Sequence, residues 1–403
     1  MNKQDSPLNT NVLVLGLTSM ISTFCLSLWQ GYLSLYFAGI GYEKWEIGIL
    51  YTLGAVAIVA AFFIAGWLGD RYGRKTIIVW STVGLAIASS LLSFQIGIAI
   101  ILGFLLFNWS TTALQPNFRA MITDSVSKGY RGRALGYFNS MAVATASIAI
   151  LLSGIYVNST DVHEYASKLP ILFVLSSVII ATVAVSRYAG LIETFKGVRR
   201  EIKSIATDNL SPLLVDKLRL LTIAYMIHDA GLSMVLFLIP IYAVEYIGMP
   251  SSILAVMLAL NYVITFLLQA PFGKLADSWG RTKVITLSFF IEAVAIGSLP
   301  LIKNPLYLLI VYGIWVAVGQ LDAPAEGALL ADLSPQERRA AIMGGFGGIT
   351  TLAAIPAPAI GGALVAVMPS LLKGYALPFI ASFAVLLLSA FIIMYYRRRV
   401  YSG

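Results

Sequence analysis

Residues 66–75 read G-W-L-G-D-R-Y-G-R-K, and residues 273–282 read G-K-L-A-D-S-W-G-R-T. Each of these charged, glycine-punctuated turns lies between long apolar stretches, and the two begin 207 residues apart. Other landmarks keep that spacing. Ile40-Gly41 matches Ile247-Gly248 at 207 residues, and Pro116, Asp124 and Arg131 match Pro324, Asp332 and Arg339 at 208. Landmarks in one order at one offset mark an internal duplication, so the chain reads as a doubled membrane bundle.

The composition around the turns supports this. Apolar residues make up 59% of 403 and charged residues 11%, with a mean hydropathy of +0.85. Soluble domains are about a quarter charged, so this chain cannot clothe a water-facing surface. Twelve apolar stretches lie near 12–37, 46–68, 76–95, 97–122, 134–157, 169–190, 218–244, 251–272, 284–302, 305–330, 340–368 and 374–396. Each is long enough to cross roughly 30 Å of hydrocarbon as a helix. The expected fold class is therefore an all-α membrane protein of two six-helix bundles, 1–190 and 218–403. The linker between them, 191–217, carries Lys196, Arg199, Arg200, Lys203 and Lys217 and suits an amphipathic helix on lipid headgroups.

The net charge of +8 follows topology. Twelve crossings leave only Lys44, Lys168, Lys303 and Lys373, of 27 Lys and Arg, on one side. By the positive-inside rule both termini, both turns and the linker are expected in the cytoplasm, with the protein in the cytoplasmic membrane. Basic residues in short separate loops rather than one patch argue against a nucleic-acid partner. The first apolar stretch is full length and lacks a small-residue cleavage site, so it reads as a retained helix. Cys25 is the only cysteine, which excludes a disulfide within the chain. The sequon Asn158-Ser159-Thr160 is ascribed to chance.

On these motifs the chain resembles the major facilitator superfamily of secondary transporters over essentially its whole length. Gly66-x-Leu68-Gly69-Asp70-Arg71-x-Gly73-Arg74-Lys75 nearly matches the family signature between helices 2 and 3. The repeat keeps Asp277, Gly280 and Arg281 but has Ser278 where the first copy has Arg71. Gly66 and Gly73 permit close helix approach and a tight reversal, and Asp70 offers an acceptor to amides at a helix N-terminus. The resemblance implies a cytoplasmic latch for the outward-open state. Its members are Gly66, Asp70, Arg71, Gly73, Arg74 and Asp124, with Gly273, Asp277, Gly280, Arg281 and Asp332 as partial counterpart. A plainer reading has the charges merely orienting the loops, which requires neither the glycines nor Asp70.

Charges inside apolar spans cost about 2.5–3.5 kcal/mol each on an insertion scale and are functional candidates by default. The deepest are His228 and Asp229 in the seventh span, Glu292 in the ninth, and Asp322 and Glu326 in the tenth. Four residues apart, Asp322 and Glu326 share a helical face. In the resembled fold helices 1, 4, 7 and 10 line the central cavity, so four of these residues face it. Glu292, on peripheral helix 9, does not. A dry cavity favours the protonated form of a carboxyl group, which makes Asp229, Asp322 and Glu326 the candidates for proton coupling. The alternatives are bonding of Asp322 and Glu326 to neighbouring helices, or hydration of Glu326 from the cytoplasm. His228 fits a packing role as well as proton transfer. Further cavity candidates are Gln30, Asn108, Gln115, Asn117 and Gln320, with Trp109, Tyr225 and Trp315 as aromatic walls. Arg119 either attracts an anion or pairs with Asp124 or Glu326 at the cytoplasmic rim, the second being preferred because the side chain can snorkel. Adjacent helical residues point about 100° apart, so His228 and Asp229 do not readily share an ion, and neither a metal nor a cofactor is expected.

The acidic excess favours cationic or neutral organic substrates. The drug-antiporter branch carries a glycine-proline signature in helix 5, yet Gly136 to Gly154 contains no proline; a similar Pro358-x-x-Gly361-Gly362 stands in the eleventh span. The first reading is a transporter for proton-coupled export of amphipathic or cationic compounds. A proton symporter importing a sugar or organic acid is the second, and a transport-null membrane sensor the alternative outside transport. Neither H-E-x-x-H nor G-x-S-x-G occurs, so no enzyme is expected. The expected partners are the lipid bilayer, a small organic substrate and protons, with the chain a monomer.

Overall fold

Backbone crossing hydrocarbon must satisfy its own hydrogen bonds, so each apolar stretch is driven into a helix. The computed structural model describes residues 10–127, 130–194, 216–334 and 339–399. It contains twelve helices long and apolar enough to span a membrane, and no strand among the described residues. The first six are α1 (Thr10–Gly39), α2 (Lys44–Tyr72), α3 (Arg74–Ser93), α4 (Gly97–Ser125), α5 (Arg131–Val157) and α6 (Val162–Gly190). The second six are α7 (Leu218–Glu245), α8 (Ser251–Trp279), α9 (Arg281–Ser298), α10 (Pro305–Leu333), α11 (Ile342–Val367) and α12 (Ala376–Arg399). The linker expected at 191–217 lies, from 195 to 215, outside the described residues.

Local chemistry sets the ends. The α6 helix begins seven residues before its apolar stretch because the Asp161 side chain accepts the His163 amide at 3.0 Å and caps it. Both α2 and α8 run beyond their apolar stretches, so Asp70 and Asp277 stand on a last helical turn rather than in a loop. The reversal itself falls on Gly73 (φ +94°) and Gly280 (φ +95°), a backbone region that glycine enters without strain. Glu193 accepts the amides of Arg74 and Lys75 at 3.1 and 3.0 Å, and the Asp70 side chain lies outside the described set. Gly41 (φ +102°) and Gly248 (φ +71°), the other matched pair, also share the left-handed region.

Packing repeats with the sequence. Within the first six helices α3 packs on α4 and α6, α2 on α4, and α1 on α5 and α6; α9 packs on α10 and α12, α8 on α10, and α7 on α11 and α12. Adding six to each label in the first set yields the second, as a pseudo-twofold relation between two bundles requires. The bundles meet through α2 against α11 and α5 against α8, again an equivalent pair.

That seam is tight at the end away from the signature turns. A methyl group added at Gly362 would run into the Lys44 carbonyl and approach Trp45 Cα at 2.8 Å; one at Gly154 would strike Ala255 and approach the Ser251 carbonyl at 2.8 Å. Ser159 and Ser251 exchange two hydrogen bonds of 3.0 and 2.9 Å, and the Ala359 amide donates to Thr52 Oγ1 at 3.1 Å. Across the same seam Lys44 Nζ lies 2.8 Å from a Glu245 carboxylate oxygen, which Tyr375 Oη also holds, at 2.9 Å. Toward the signature turns, Gly136 on α5 and Gly344 and Gly347 on α11 have nothing within 4 Å of a Cβ position.

Candidate functional site

The polar residues of the second bundle converge. On α7, Tyr225, His228 and Asp229 occupy one turn; α9 brings Phe289 and Glu292, and α10 brings Asp322 and Glu326. Tyr225 Oη donates to Asp322 Oδ1 at 2.6 Å, with both residues buried. Glu326 stands one turn further along α10 and is half-buried. The His228 ring lies flat on Phe289, centroids 3.9 Å apart and planes at 11°. Its Nδ1 is 3.3 Å from Asp229 Oδ1 and its Nε2 is 3.3 Å from Glu292 Oε2. Asp229 is the open member, its side chain 35% exposed against 3% for Glu292.

Glu292, set apart from the cavity in the sequence reading because it lies on helix 9, is joined to these residues through the His228 ring, whose Nε2 it faces. Sequence position alone could not show this, because nothing in the ninth span points to a histidine in the seventh. Gln30 reaches across the bundles, donating from Nε2 to Tyr262 Oη at 3.0 Å. Asn108 donates to its own helix at Phe104 and lies against Gly54 of α2. Asn117, expected at the cavity, is buried and donates to Ala65 of α2 and Ala113, so it knits α4 to α2. Gln115 and Arg119 are exposed and Gln320 is half-buried. In the signature turns Arg74 pairs with Asp124, and Arg281 pairs with Asp332 and, at 3.2 Å, with Asp277. Each of these pairs lies within one bundle. Among the described residues no group of three or more His, Cys, Asp or Glu is placed to hold a metal ion.

One buried charge went unread in the sequence. Arg187 of α6 is fully buried, and its guanidinium donates to Thr82 Oγ1 at 2.7 Å, Thr18 Oγ1 at 3.1 Å, Ser19 Oγ at 3.1 Å and Ser22 Oγ at 3.4 Å. Its signal was a cation three residues inside the sixth apolar stretch. At the 207-residue offset Thr18, Ser22 and Thr82 become Tyr225, Asp229 and Phe289. The two bundles therefore put their polar nests in one equivalent place, a cation with hydroxyls in the first and acids with an imidazole in the second. Hydrogen bonds to a charged group contribute about 1.5–3 kcal/mol, so Thr82→Val is expected to lower the detergent melting temperature. In an Arg187→Met background the same change should cost less, because the hydroxyl then has only its bond to the Ile78 carbonyl of its own helix to lose. Equal effects in both backgrounds would show that Arg187 draws nothing from this hydroxyl.

Comparison with known proteins places this architecture. The family model described as Major Facilitator Superfamily matches residues 12–217 and 221–403. The chain is 24% identical over 350 residues to an uncharacterised MFS-type transporter of Methanocaldococcus jannaschii, covering 84% of this chain and 87% of that protein. It is 25% identical over 343 residues to the multidrug resistance protein MdtG of Escherichia coli, covering 81% of this chain and 80% of that one. Among solved structures it resembles the nucleoside transporter NupG, with a TM-score of 0.80 at 12% identity over 96% of this chain and 99% of the other. A bacterial homologue of the lysosomal transporter Spinster, inward-facing and unoccupied, gives a TM-score of 0.75 at 14% identity over 96% of each chain. The chain is an integral membrane transporter, not an enzyme, and belongs to the Major Facilitator Superfamily.

Proposed function

We propose that the protein exports amphipathic organic cations in exchange for protons by alternating access, with its termini and signature turns in the cytoplasm. The observation that carries this reading is the gathering of Asp229, Asp322 and Glu326 in one bundle, with none of them ion-paired to Lys or Arg among the described residues. Carboxyl groups so placed attract a cation, and in an apolar span an ionised one is costly unless a cation or a proton accompanies it. The likeness to MdtG, named for multidrug resistance, agrees with export. Under the positive-inside orientation, a seam closed at the Lys44–Glu245 end leaves the site open toward the cytoplasm, ready to load. Residues 1–190 and 218–403 act as the two rocking bodies joined by 191–217. Closure on the cytoplasmic side would bring the Asp70–Arg74–Asp124 and Asp277–Arg281–Asp332 turns into the latch.

Proteoliposomes loaded with a pH gradient test the proposal, with tetraphenylphosphonium as the probe. Exchange predicts uptake when the lumen is acid, up to about tenfold per pH unit for one-for-one exchange, whichever way the protein is inserted. Uptake driven only by an acid exterior would instead establish symport, and gradient-independent equilibration would remove proton coupling.

A further inference from the structure

His228 presents a problem of proton count. Each ring nitrogen faces a carboxylate oxygen at 3.3 Å, Asp229 on one side and Glu292 on the other. A neutral imidazole has a single N–H, so it can donate to only one of them and must turn a lone pair toward the other. The geometry is satisfied when the ring carries both protons or when one carboxyl group is itself protonated. Phe289, stacked on the ring face, and Tyr225, edge-on at 6.2 Å, leave the imidazole little freedom to turn away.

The two carboxylates differ in access. Glu292 is sealed, with a 3% exposed side chain. A Cβ at Gly319 of α10 would meet its Oε1 at 3.9 Å, an ordinary contact distance, so the carboxylate lies beside α10 as well as α7. A sealed acid in a membrane helix is costly and touches no solute. Its recorded partner is His228. Asp229, at the opposite nitrogen, is a third exposed and can be reached by a solute. Other ionisable groups near the ring are Tyr225 on α7 and Asp322 and Glu326 on α10, while residues 342–367 of α11 and 376–394 of α12 contain none. Among these acids only Asp229 and Glu292 share a hydrogen bond with the imidazole.

We propose that Glu292, His228 and Asp229 act as one exchange unit in which the imidazolium, pinned by Glu292, is the resident counter-ion of Asp229 and gives up its proton when an organic cation takes that place. The inference rests on the reading of the protein as a cation–proton exchanger and specifies where the exchange occurs. As the cation approaches, the Nδ1–H bond breaks, its electron pair stays on nitrogen, and the proton passes to cavity water. The Nε2–H remains bonded to Glu292. One positive charge enters and one leaves, so the site keeps its net charge through the cycle. Glu292 is a positioning residue that never meets the substrate.

The chain contains only two histidines, His163 and His228, so protein labelled with 15N in its imidazoles yields two ring systems, and His163→Gln assigns them. The His228 ring is expected to show both nitrogens protonated in the empty protein. Tetraphenylphosphonium should convert it to the neutral form, with release of about one proton per bound cation into weakly buffered solution, as linkage requires. Glu292→Gln removes the buried counter-charge at nearly constant shape. Its ring should be neutral from the start and its proton release lost, while cation binding persists. His228→Asn supplies a second variant that binds without releasing protons. A wild-type ring that stays neutral throughout, or unaltered proton release in both variants, overturns the unit. If wild-type proteoliposomes show no cation–proton exchange at all, the exporter reading fails instead; exchange that survives both variants unchanged removes only this inference.

Discussion

Asp322→Asn is expected to abolish pH-driven accumulation while leaving substrate exchange intact. The substitution preserves the Oδ1 that accepts the Tyr225 hydroxyl at 2.6 Å, so the buried contact between α7 and α10 survives and the protein folds. What disappears is a carboxyl group able to pass the proton between cavity water and the His228 unit, without which the unit is not recharged. Asparagine imitates the protonated acid permanently, so the carrier can still turn over loaded with substrate on both legs, as counterflow requires. Accumulation of tetraphenylphosphonium under an inside-acid gradient of one pH unit should fall from as much as about tenfold to no enrichment. Homoexchange of labelled for unlabelled probe should stay within a few-fold of wild type. Asp322→Ala provides the structural contrast: it strands a buried hydroxyl, at a cost of about 1–3 kcal/mol, and should lower thermal stability as well. Glu326→Gln and Asp229→Asn are expected to weaken coupling in the same assay. Wild-type accumulation with wild-type pH dependence in all three neutral variants would assign these carboxyl groups to structure.

How much of this was legible beforehand depended on the distance over which the controlling interactions act. Span number and position came from hydropathy because the bilayer imposes length and composition locally, and the duplication came from charged turns whose glycines have to adopt a left-handed backbone, as Gly73 and Gly280 do. His228, Asp229, Asp322 and Glu326 stood out because a charge in an apolar span is conspicuous by itself. Partnerships were another matter. That Glu292 would face His228 from the ninth span, that Glu193 would accept the first amides of α3, and that Asn117 would tie α4 to α2 are consequences of packing between segments far apart in sequence. Arg187 was visible as a charge in the sixth stretch, but its hydroxyl nest draws on α1 and α3, and no local pattern announces it.

The second large effect is expected at the closed seam, where packing and not charge sets the balance between states. The Lys44–Glu245 pair is conspicuous, yet its side chains are 27% and 19% exposed, and pairs of this kind contribute about 0.2–1 kcal/mol. Severing it with Lys44→Gln should move the equilibrium only a few-fold. The glycines are different. Gly362 and Gly154 lie against backbone of the opposite bundle, which cannot swing aside as a long side chain can. Forcing added carbon atoms into a packed interface costs about 1–3 kcal/mol, a shift of roughly 5- to 150-fold in a two-state equilibrium. Because the cost falls on the closed seam alone, Gly362→Leu and Gly154→Leu should hold this end apart and leave a protein that inserts and binds but turns over slowly. Spin labels on cysteines introduced at exposed Thr160 and Lys303 read the separation directly, since the native Cys25 is buried. The expected outcome is a longer label distance with transport reduced at least about tenfold, and a double Gly362→Leu/Gly154→Leu variant more strongly displaced than either alone. An unchanged distance distribution with unchanged turnover would mean that the seam yields elsewhere, and that glycine contacts between α2 and α11 and between α5 and α8 do not govern closure.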